Sequence, residues 1–217
     1  HNLMIFVVDS GSTKTDWISL DDSGKVLFST QTLGLNPQVL PSDILTERII
    51  NNYDLYQNRE KVSYVYFYGA GCGIDSPARR IKKVFSEIFT TSNFSILEDT
   101  YAAVYATVKP NEAAIVCILG TGSNCTYFDG KEIEQKITSL GYVLMDEASG
   151  NFFGKQLIRS YYFKTMPKTL AKEFEDQYDL SPDSIKENIY RRDNPNTYLA
   201  KFAQFIIEHK EIRKFEH

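Results

Sequence analysis

Several features that would fix the class of a chain at once are missing from these 217 residues. No run approaches the ~20 apolar residues that a membrane helix needs, so no membrane is expected as a partner. The N-terminal apolar run, Leu3 to Val8, has neither a basic flank nor a small-residue cleavage site, so it reads as a strand and not as a signal peptide. Cysteine is scarce: Cys72, Cys117 and Cys125 are odd in number and lack metal-ligand spacing, which fits a reduced, cytoplasmic setting. Cys117 is expected to face a core, while Cys72 and Cys125 stand beside glycine turns as small fillers. A net charge of −4 offers no basic excess, which argues against nucleic acid. There is no low-complexity linker. There is no P-loop either, since the four-residue spacer and the Gly-Lys-Ser/Thr ending are both lacking.

What is present is organised around Val7 to Asp16, VVDSGSTKTD. The apolar run Met4 to Val8 ends in an acid at Asp9, followed by small residues, Lys14 and a second acid. This reads as a buried strand that ends in a tight turn, with a hairpin partner starting near Thr15. At such a turn the N–H groups of Gly11, Ser12 and Thr13 can converge on an anion, and small side chains let a phosphate approach. Lys14 adds positive charge, and Asp9 can hold a metal ion, directly or through water. A second copy stands at Ile115 to Asn124, IVCILGTGSN. A short strand and a hairpin signal follow each copy, Asp22-Ser23-Gly24-Lys25 in one case and Asp129-Gly130-Lys131 in the other. One strand–turn–strand–hairpin unit is thus used twice, and two such turns facing each other could hold a polyphosphate from both sides. The plain alternative for either copy alone is a turn that binds nothing.

The rest of the chain predicts an α/β fold. Lys25 to Thr32 is a third strand. In the loop Leu33 to Pro37, Asn36 is held extended by the proline after it and offers amide donors and an acceptor. A helix is expected from Ser42 to about Asn58, a strand at Val62 to Tyr68 and a third glycine-rich turn at Gly69 to Gly73. A helix from Ser76 to Phe89, a strand at Phe94 to Leu97 and a helix from Thr100 to Val108 follow. Hairpin-joined strands followed by alternating strands and helices imply a mixed sheet with helices on both faces. Ligands of such sheets sit at the carboxyl ends of the parallel strands, where Asp9, Gly69 to Gly73 and Asp99 all lie. A boundary at Lys109-Pro110-Asn111 opens a second region with strands at Ala114 to Leu119, Cys125 to Phe128 and Glu132 to Ile137. A loop over Gly141 to Lys155 then leads into a helix near Asp146 or Glu147. Helices are expected over Asn151 to Lys164, Lys168 to Tyr178, Ser181 to Arg191 and Asn196 to Glu211. This second lobe is incomplete as a layer arrangement, so the chain is expected to be cut short.

In these residues the chain resembles the actin/hexokinase/Hsp70-type ATPases, and among them the N-acetylglucosamine kinases and the related BadF/BadG/BcrA/BcrD-type ATPases. The likeness covers about residues 3–165. Asp9 to Thr15 is similar to the first phosphate motif and Leu119 to Cys125 to the second. Leu97-Glu-Asp-Thr100 is similar to the segment with the catalytic aspartate, and Gly141 to Gly150 to the sugar-side acidic loop. The resemblance implies a ribonuclease H-like, actin-type ATPase domain over 1–110 and a partial, helix-rich second lobe over 111–217. It implies a cytoplasmic ATP-dependent hexosamine kinase that uses ATP and Mg2+ on the 6-hydroxyl of N-acetylglucosamine or a related amino sugar. Asp99 would be the base for the sugar hydroxyl, its ionised form favoured at a helix N-terminus. Asp9, Gly11, Ser12, Thr13, Lys14, Gly120, Thr121 and Gly122 would hold the phosphates, with Asp9 also on the metal. Asn36, Asp99, Ser123, Asn124, Gly141, Asp146 and Glu147 would hold the sugar. The partners are then sugar and ATP, and a homodimer is compatible with them.

The pattern has departures and competitors. Ser10 and Ser12 stand where the family often has glycine, Ala148 interrupts the acidic loop, and Tyr142 replaces a Trp-Gly-His-type run. No counterpart of the family's adenosine-binding motif is found. The plain alternative for Asp99 is a helix N-cap, and for Asp146 and Glu147 helix-start acids. One competing function is an ATPase activator of a CoA-ester dehydratase, for which Cys72, Cys117 and Cys125 are badly placed to bridge an iron–sulfur cluster, two of them being tied to core strands or phosphate turns. The others are a sugar-binding module without catalysis and a filament-forming actin relative, the last leaving Asn36 and Asp146 unexplained.

Overall fold

The computed structural model describes residues 3–209. It divides into two compact units, His1–Pro110 and Asn111–His217. In the first, β1 (Met4–Ser10), β2 (Lys14–Leu20), β3 (Val26–Leu33), β4 (Val62–Gly69) and β5 (Asn93–Glu98) form one sheet in the order β3-β2-β1-β4-β5. The β1–β2 and β2–β3 pairs are antiparallel, and the β1–β4 and β4–β5 pairs are parallel. Alternation along β1 sorts its side chains: Phe6, Val8 and Ser10 are buried on one face, while Asp9 lies exposed on the other.

The first face carries the core. Helices α1 (Ser42–Ile50) and α3 (Asp75–Ile88) bring Leu45, Ile49, Ile81, Val84 and Phe85 onto it. Phe67 and Phe85 meet edge to face at 5.0 Å, and Phe6 meets Trp17 the same way at 5.9 Å, the arrangement that ring quadrupoles favour. On the second face α4 (Thr100–Thr107) packs over β4 and β5, where Tyr105 meets Tyr68, the register partner of Asp9. Helices thus cover both faces. The single helix expected over Ser42 to Asn58 is two, α1 and α2 (Tyr53–Asn58). Asn52 breaks it: its side chain accepts from the Leu55 N–H at 3.1 Å to cap a new helix, and donates to Thr30 Oγ1 and the Gln31 carbonyl of β3.

In the second unit β6 (Ala114–Leu119), β7 (Ser123–Phe128) and β8 (Ile133–Glu134) form an antiparallel sheet in that order. β8 is two residues long, against the expected Glu132 to Ile137, because Gln135 and Ile137 leave the ladder to line a cavity. The helices are α5 (Gly150–Tyr162), α6 (Lys168–Gln177), α7 (Pro182–Tyr190), α8 (Pro195–Phe202) and α9 (Gln204–Glu208). The expected helix start near Asp146 or Glu147 is corrected to Gly150. Asp146 and Ala148 have φ of 72° and 59°, left-handed values that a helix cannot include, and Ser149 caps α5 by accepting from the Phe152 N–H. The helix expected over Asn196 to Glu211 breaks at Ala203, and its end past 209 lies outside the described residues. Phe174, Leu180, Phe202 and Phe205 form the core among these helices. Among the described residues no helix is long and apolar enough to cross a membrane.

Candidate active site

In the first unit the functional candidates gather at the carboxyl edge of the parallel strands. The turn between β1 and β2 is braced from below. Ser10 Oγ and Thr15 Oγ1 lie 2.8 Å apart, Ser10 Oγ accepts from the Leu35 N–H, and Thr15 Oγ1 donates to the Leu33 carbonyl. The Gly34 N–H donates to the Thr13 carbonyl at 2.9 Å, and a Cβ on Gly34 would stand 2.3 Å from the Ser12 carbonyl oxygen. Ser10, one of the two departures from glycine, is therefore a buried strut of the turn. One expectation needs correction: the Gly11 N–H is not free for a phosphate, because it donates to the Lys14 carbonyl at 3.0 Å. The N–H groups of Ser12 and Thr13, both exposed, have no protein acceptor among the described residues. The Lys14 ammonium pairs with Asp16 at 3.1 Å.

The glycine turn after β4 closes the edge. Gly71 has φ +80°, and a Cβ there would stand 2.2 Å from Asn36 Oδ1. Asn36 Oδ1 already accepts from the Gln38 N–H, so what Asn36 retains is its pair of amide donors. A Cβ on Gly73 would meet Glu98 Oε2 at 2.9 Å. Asp99 follows at the N-cap position of α4, without the usual N-cap bond from its side chain to the second or third N–H of the helix. Its carboxyl is held above the ordinary 3.8, first by burial and then, against the pull of the Thr100 N–H, by the negative charge of Asp9. The helix N-terminus therefore does not hold Asp99 more acidic than usual, as the sequence led us to expect; burial wins. Asp9, though its side chain reaches solvent, is raised first by partial desolvation and then by Asp16 opposite it in register, with Lys14 opposing, and Glu98 by burial and Asp99. Burial first, and then the charges of Asp99 and Glu98, push the Cys72 thiol up to about 12.

In the second unit the turn between β6 and β7 is held by backbone and side chains of the segment that opens α5. The Gly120 N–H, like that of Gly11, is taken inside its turn, by the Gly122 carbonyl at 2.9 Å. Asn151, fully buried at the start of α5, donates from Nδ2 to the Thr121 carbonyl at 2.7 Å and to Asp146 Oδ2 at 2.9 Å. Asp146 Oδ1 accepts from the Ser123 N–H at 3.3 Å, and the Gly150 and Asn151 N–H groups donate to the Gly120 and Thr121 carbonyls. A Cβ on Gly122 would stand 2.8 Å from Asp146 Oδ2. Asp146 thus bonds twice within its own unit, and of a carboxylate's roughly four acceptor sites about two remain. Asn124 Oδ1 accepts from Thr126 Oγ1 at 2.7 Å. Gly141, with φ +81°, turns the loop by accepting from the Leu144 and Met145 N–H groups.

A cavity of 320 Å³ in this unit is lined by Ser123, Asn124, Asp146 and the exposed Glu147, together with Cys117 and Cys125. Cys117, expected in a core, is exposed, because β6 turns Ile115, Cys117 and Leu119 outward; Cys72 is the buried cysteine. The cysteines are thus not all tied to core strands or turns. The structure brings Asp9, Asn36 and Asp99 to one edge of the first unit, and Thr121, Ser123, Asn124, Asp146 and Glu147 around the turn and cavity of the second. Sequence reasoning missed Glu98 as a member of the acid cluster and Asn151 as the anchor of the second turn. Glu98 had a signal, adjacency to Asp99 at the end of a strand. Asn151 had only its place directly after a glycine at a helix start.

No family model matches the chain. Among solved structures, a candidate N-acetylglucosamine kinase from Porphyromonas gingivalis is 35% identical, with TM-score 0.86 over 96% of this chain and 74% of that one. A candidate N-acetylglucosamine kinase from Chromobacterium violaceum is 14% identical, with TM-score 0.65 over 97% of this chain and 75% of that one. A ROK-family glucokinase from Streptomyces griseus, solved with glucose and AMPPNP, is 14% identical, with TM-score 0.56 over 92% and 75%. The last two speak for the fold alone.

Proposed function

This chain belongs to the actin-like ATPase sugar kinases of ribonuclease H-like fold, and from that premise we propose that it transfers the terminal phosphoryl group of ATP to the 6-hydroxyl of N-acetylglucosamine or a related amino sugar. The observation that carries this reading is the 35% identity to the Porphyromonas protein across 96% of the chain. The edge of the first unit supports it. Asp99 is the proton acceptor for the sugar hydroxyl, and its raised pKa makes it a better base than an exposed aspartate while proton transfer stays within reach. Phosphoryl transfer asks for positioning and charge stabilisation more than covalent chemistry. The Ser12 and Thr13 N–H groups serve that need in the first unit and the Thr121 N–H in the second, beside Gly122 and Gly120. Asn36 and Asp99 of the first unit and Ser123, Asn124, Asp146 and Glu147 of the second are assigned to the sugar, with Gly141 shaping the acidic loop.

The donor set fits Mg2+. Asp9 and Asp16 stand opposite each other, burial and the Asp16 charge raise Asp9, and carboxylate oxygens are the ligands this hard cation takes. Asp9 would hold it, and the ion would supply charge neutralisation at the phosphates. The partners are ATP and a sugar, in a cytoplasmic setting. The test is ADP release with N-acetylglucosamine, glucosamine, N-acetylmannosamine or glucose as acceptor. Fastest release with N-acetylglucosamine or another of the amino sugars is expected. Sugar binding by calorimetry with no ADP formed would replace the kinase by a binding module, and iron in the purified protein would favour the dehydratase activator.

A further inference from the structure

The hairpin that carries the second turn also carries two thiols outside the proposed chemistry. Cys117 on β6 stands directly opposite Cys125 on β7. Both are free and exposed, eight residues apart in the chain, with Sγ atoms 3.2 Å apart. Both line the 320 Å³ cavity with Ser123, Asn124 and Asp146. Directly opposed residues of an antiparallel pair have Cα atoms about 4.5–5.5 Å apart. That lies inside the roughly 4.4–6.8 Å a disulfide spans, and the sulfurs need to approach by only about 1 Å to reach bonding distance.

We propose that Cys117 and Cys125 are a reversible dithiol–disulfide modification site on the wall of this cavity, with low-molecular-weight disulfides of the glutathione type as oxidant. One cysteine, as its thiolate, attacks a sulfur of the glutathione disulfide. A mixed disulfide forms and one glutathione thiolate leaves. The second cysteine loses its proton and attacks the protein sulfur of that mixed disulfide. The Cys117–Cys125 bond forms and the second glutathione thiolate leaves. The two protein sulfurs give up two electrons, the oxidant gains them, and the two thiol protons pass to the glutathione thiolates. The product closes a ring through Gly120 to Gly122 and fixes the hairpin that presents Thr121. Its exposure leaves it open to reduction by the same route. The hydrogen bond that the Cys125 thiol makes to Cys117 holds the proton on Cys125, so exchange quickens as pH rises.

The test reads mass and thiols, not turnover, so it stands apart from the kinase reading. The whole protein is equilibrated with reduced and oxidised glutathione in graded ratios, quenched with acid, unfolded and analysed. The expected product lacks two hydrogens, about 2 Da, both in the peptide between Lys109 and Lys131. It retains one of its three thiols, Cys72. The change reverses with excess reduced glutathione and is faster at pH 9 than at pH 7. Cys117→Ser and Cys125→Ser stop at the mixed disulfide and gain the mass of one glutathione. Lasting glutathione adducts on the unaltered protein, three free thiols after equilibration with oxidised glutathione, a bond to Cys72, or covalent dimers would each overturn the proposal.

Discussion

The β1–β2 and β6–β7 turns are written in nearly the same sequence and spend their first glycine N–H the same way, inside the turn. They are held differently. The first rests on backbone: the Gly34 and Leu35 strand end docks under it, with Ser10 and Thr15 as buried struts. The second rests on the loop and helix that follow the sheet: the Gly150 and Asn151 N–H groups bond its carbonyls, and the side chains of Asp146 and Asn151 add three more bonds. A repeated binding element therefore does not bring a repeated support. Both supports come from more than twenty residues along the chain, Leu35 for Ser10 and Asp146 for Ser123; the first is the end of a strand paired in the same sheet, the second a loop and helix that follow the sheet.

The comparison can be broken by substitution. The largest effect falls on the base, which only the first unit supplies. Asp99→Asn should lose about 10²–10⁴-fold in kcat, the usual worth of a general acid or base, with KM for ATP little changed. Steady-state kinetics with the preferred sugar decide it. Next come the supports. Gly34→Ala drives a Cβ against backbone, the Ser12 carbonyl oxygen, which cannot swing away. It should cost about 1–3 kcal/mol of stability, read by urea denaturation. Asp146→Ala takes acceptors from Asn151 and from the Ser123 N–H, at a cost of about 1–3 kcal/mol, and, since Asp146 is assigned to the sugar, should raise KM for the sugar more than it lowers kcat. Gly122→Ala meets the Asp146 carboxylate, a side chain that yields by stretching its bonds to Ser123 and Asn151 where backbone could not, so its cost should be less than that of Gly34→Ala, about 1 kcal/mol. Equal costs for the two glycines would show that the supports are equivalent after all.

The smallest effect is electrostatic. Asp99 has its pKa raised in the folded chain, so its contribution to stability is fully present below the ordinary 3.8 and is lost as pH rises through the folded value. At neutral pH it is a burden on the fold. Asp99→Asn should therefore melt at or above the temperature of the unaltered protein at pH 7, and the difference should shrink as pH falls toward 4. Calorimetry across that range checks it, and shows that the lost turnover is not lost structure.

The sheet of the first unit was legible because its strand-like runs, such as Met4 to Val8 and Val62 to Tyr68, are short and end in acids or glycines, and because hairpin signals and then alternating helices follow them. Asp9 and Asp99 could be placed at one edge from element order alone. The break at Asn52 was hidden, since it depends on a bond to Thr30 in another element. So was the short β8, whose successors turn to line a cavity. Cys117 was misjudged because Ile115 to Leu119 is apolar throughout. Such a run reads as buried on both faces, whereas β6 leaves Ile115, Cys117 and Leu119 exposed. The bracing of the second turn could not be read, because nothing local marks an asparagine that bonds a carbonyl thirty positions back, |i−j| being 30.

The claim beneath the rest is that each of the two turns binds ATP phosphate through its own N–H groups. Amide hydrogen exchange at Ser12, Thr13 and Thr121, with and without a non-hydrolysable ATP analogue and Mg2+, measures it directly. The account predicts slower exchange at both turns on binding; protection of one turn with the other unchanged would contradict it.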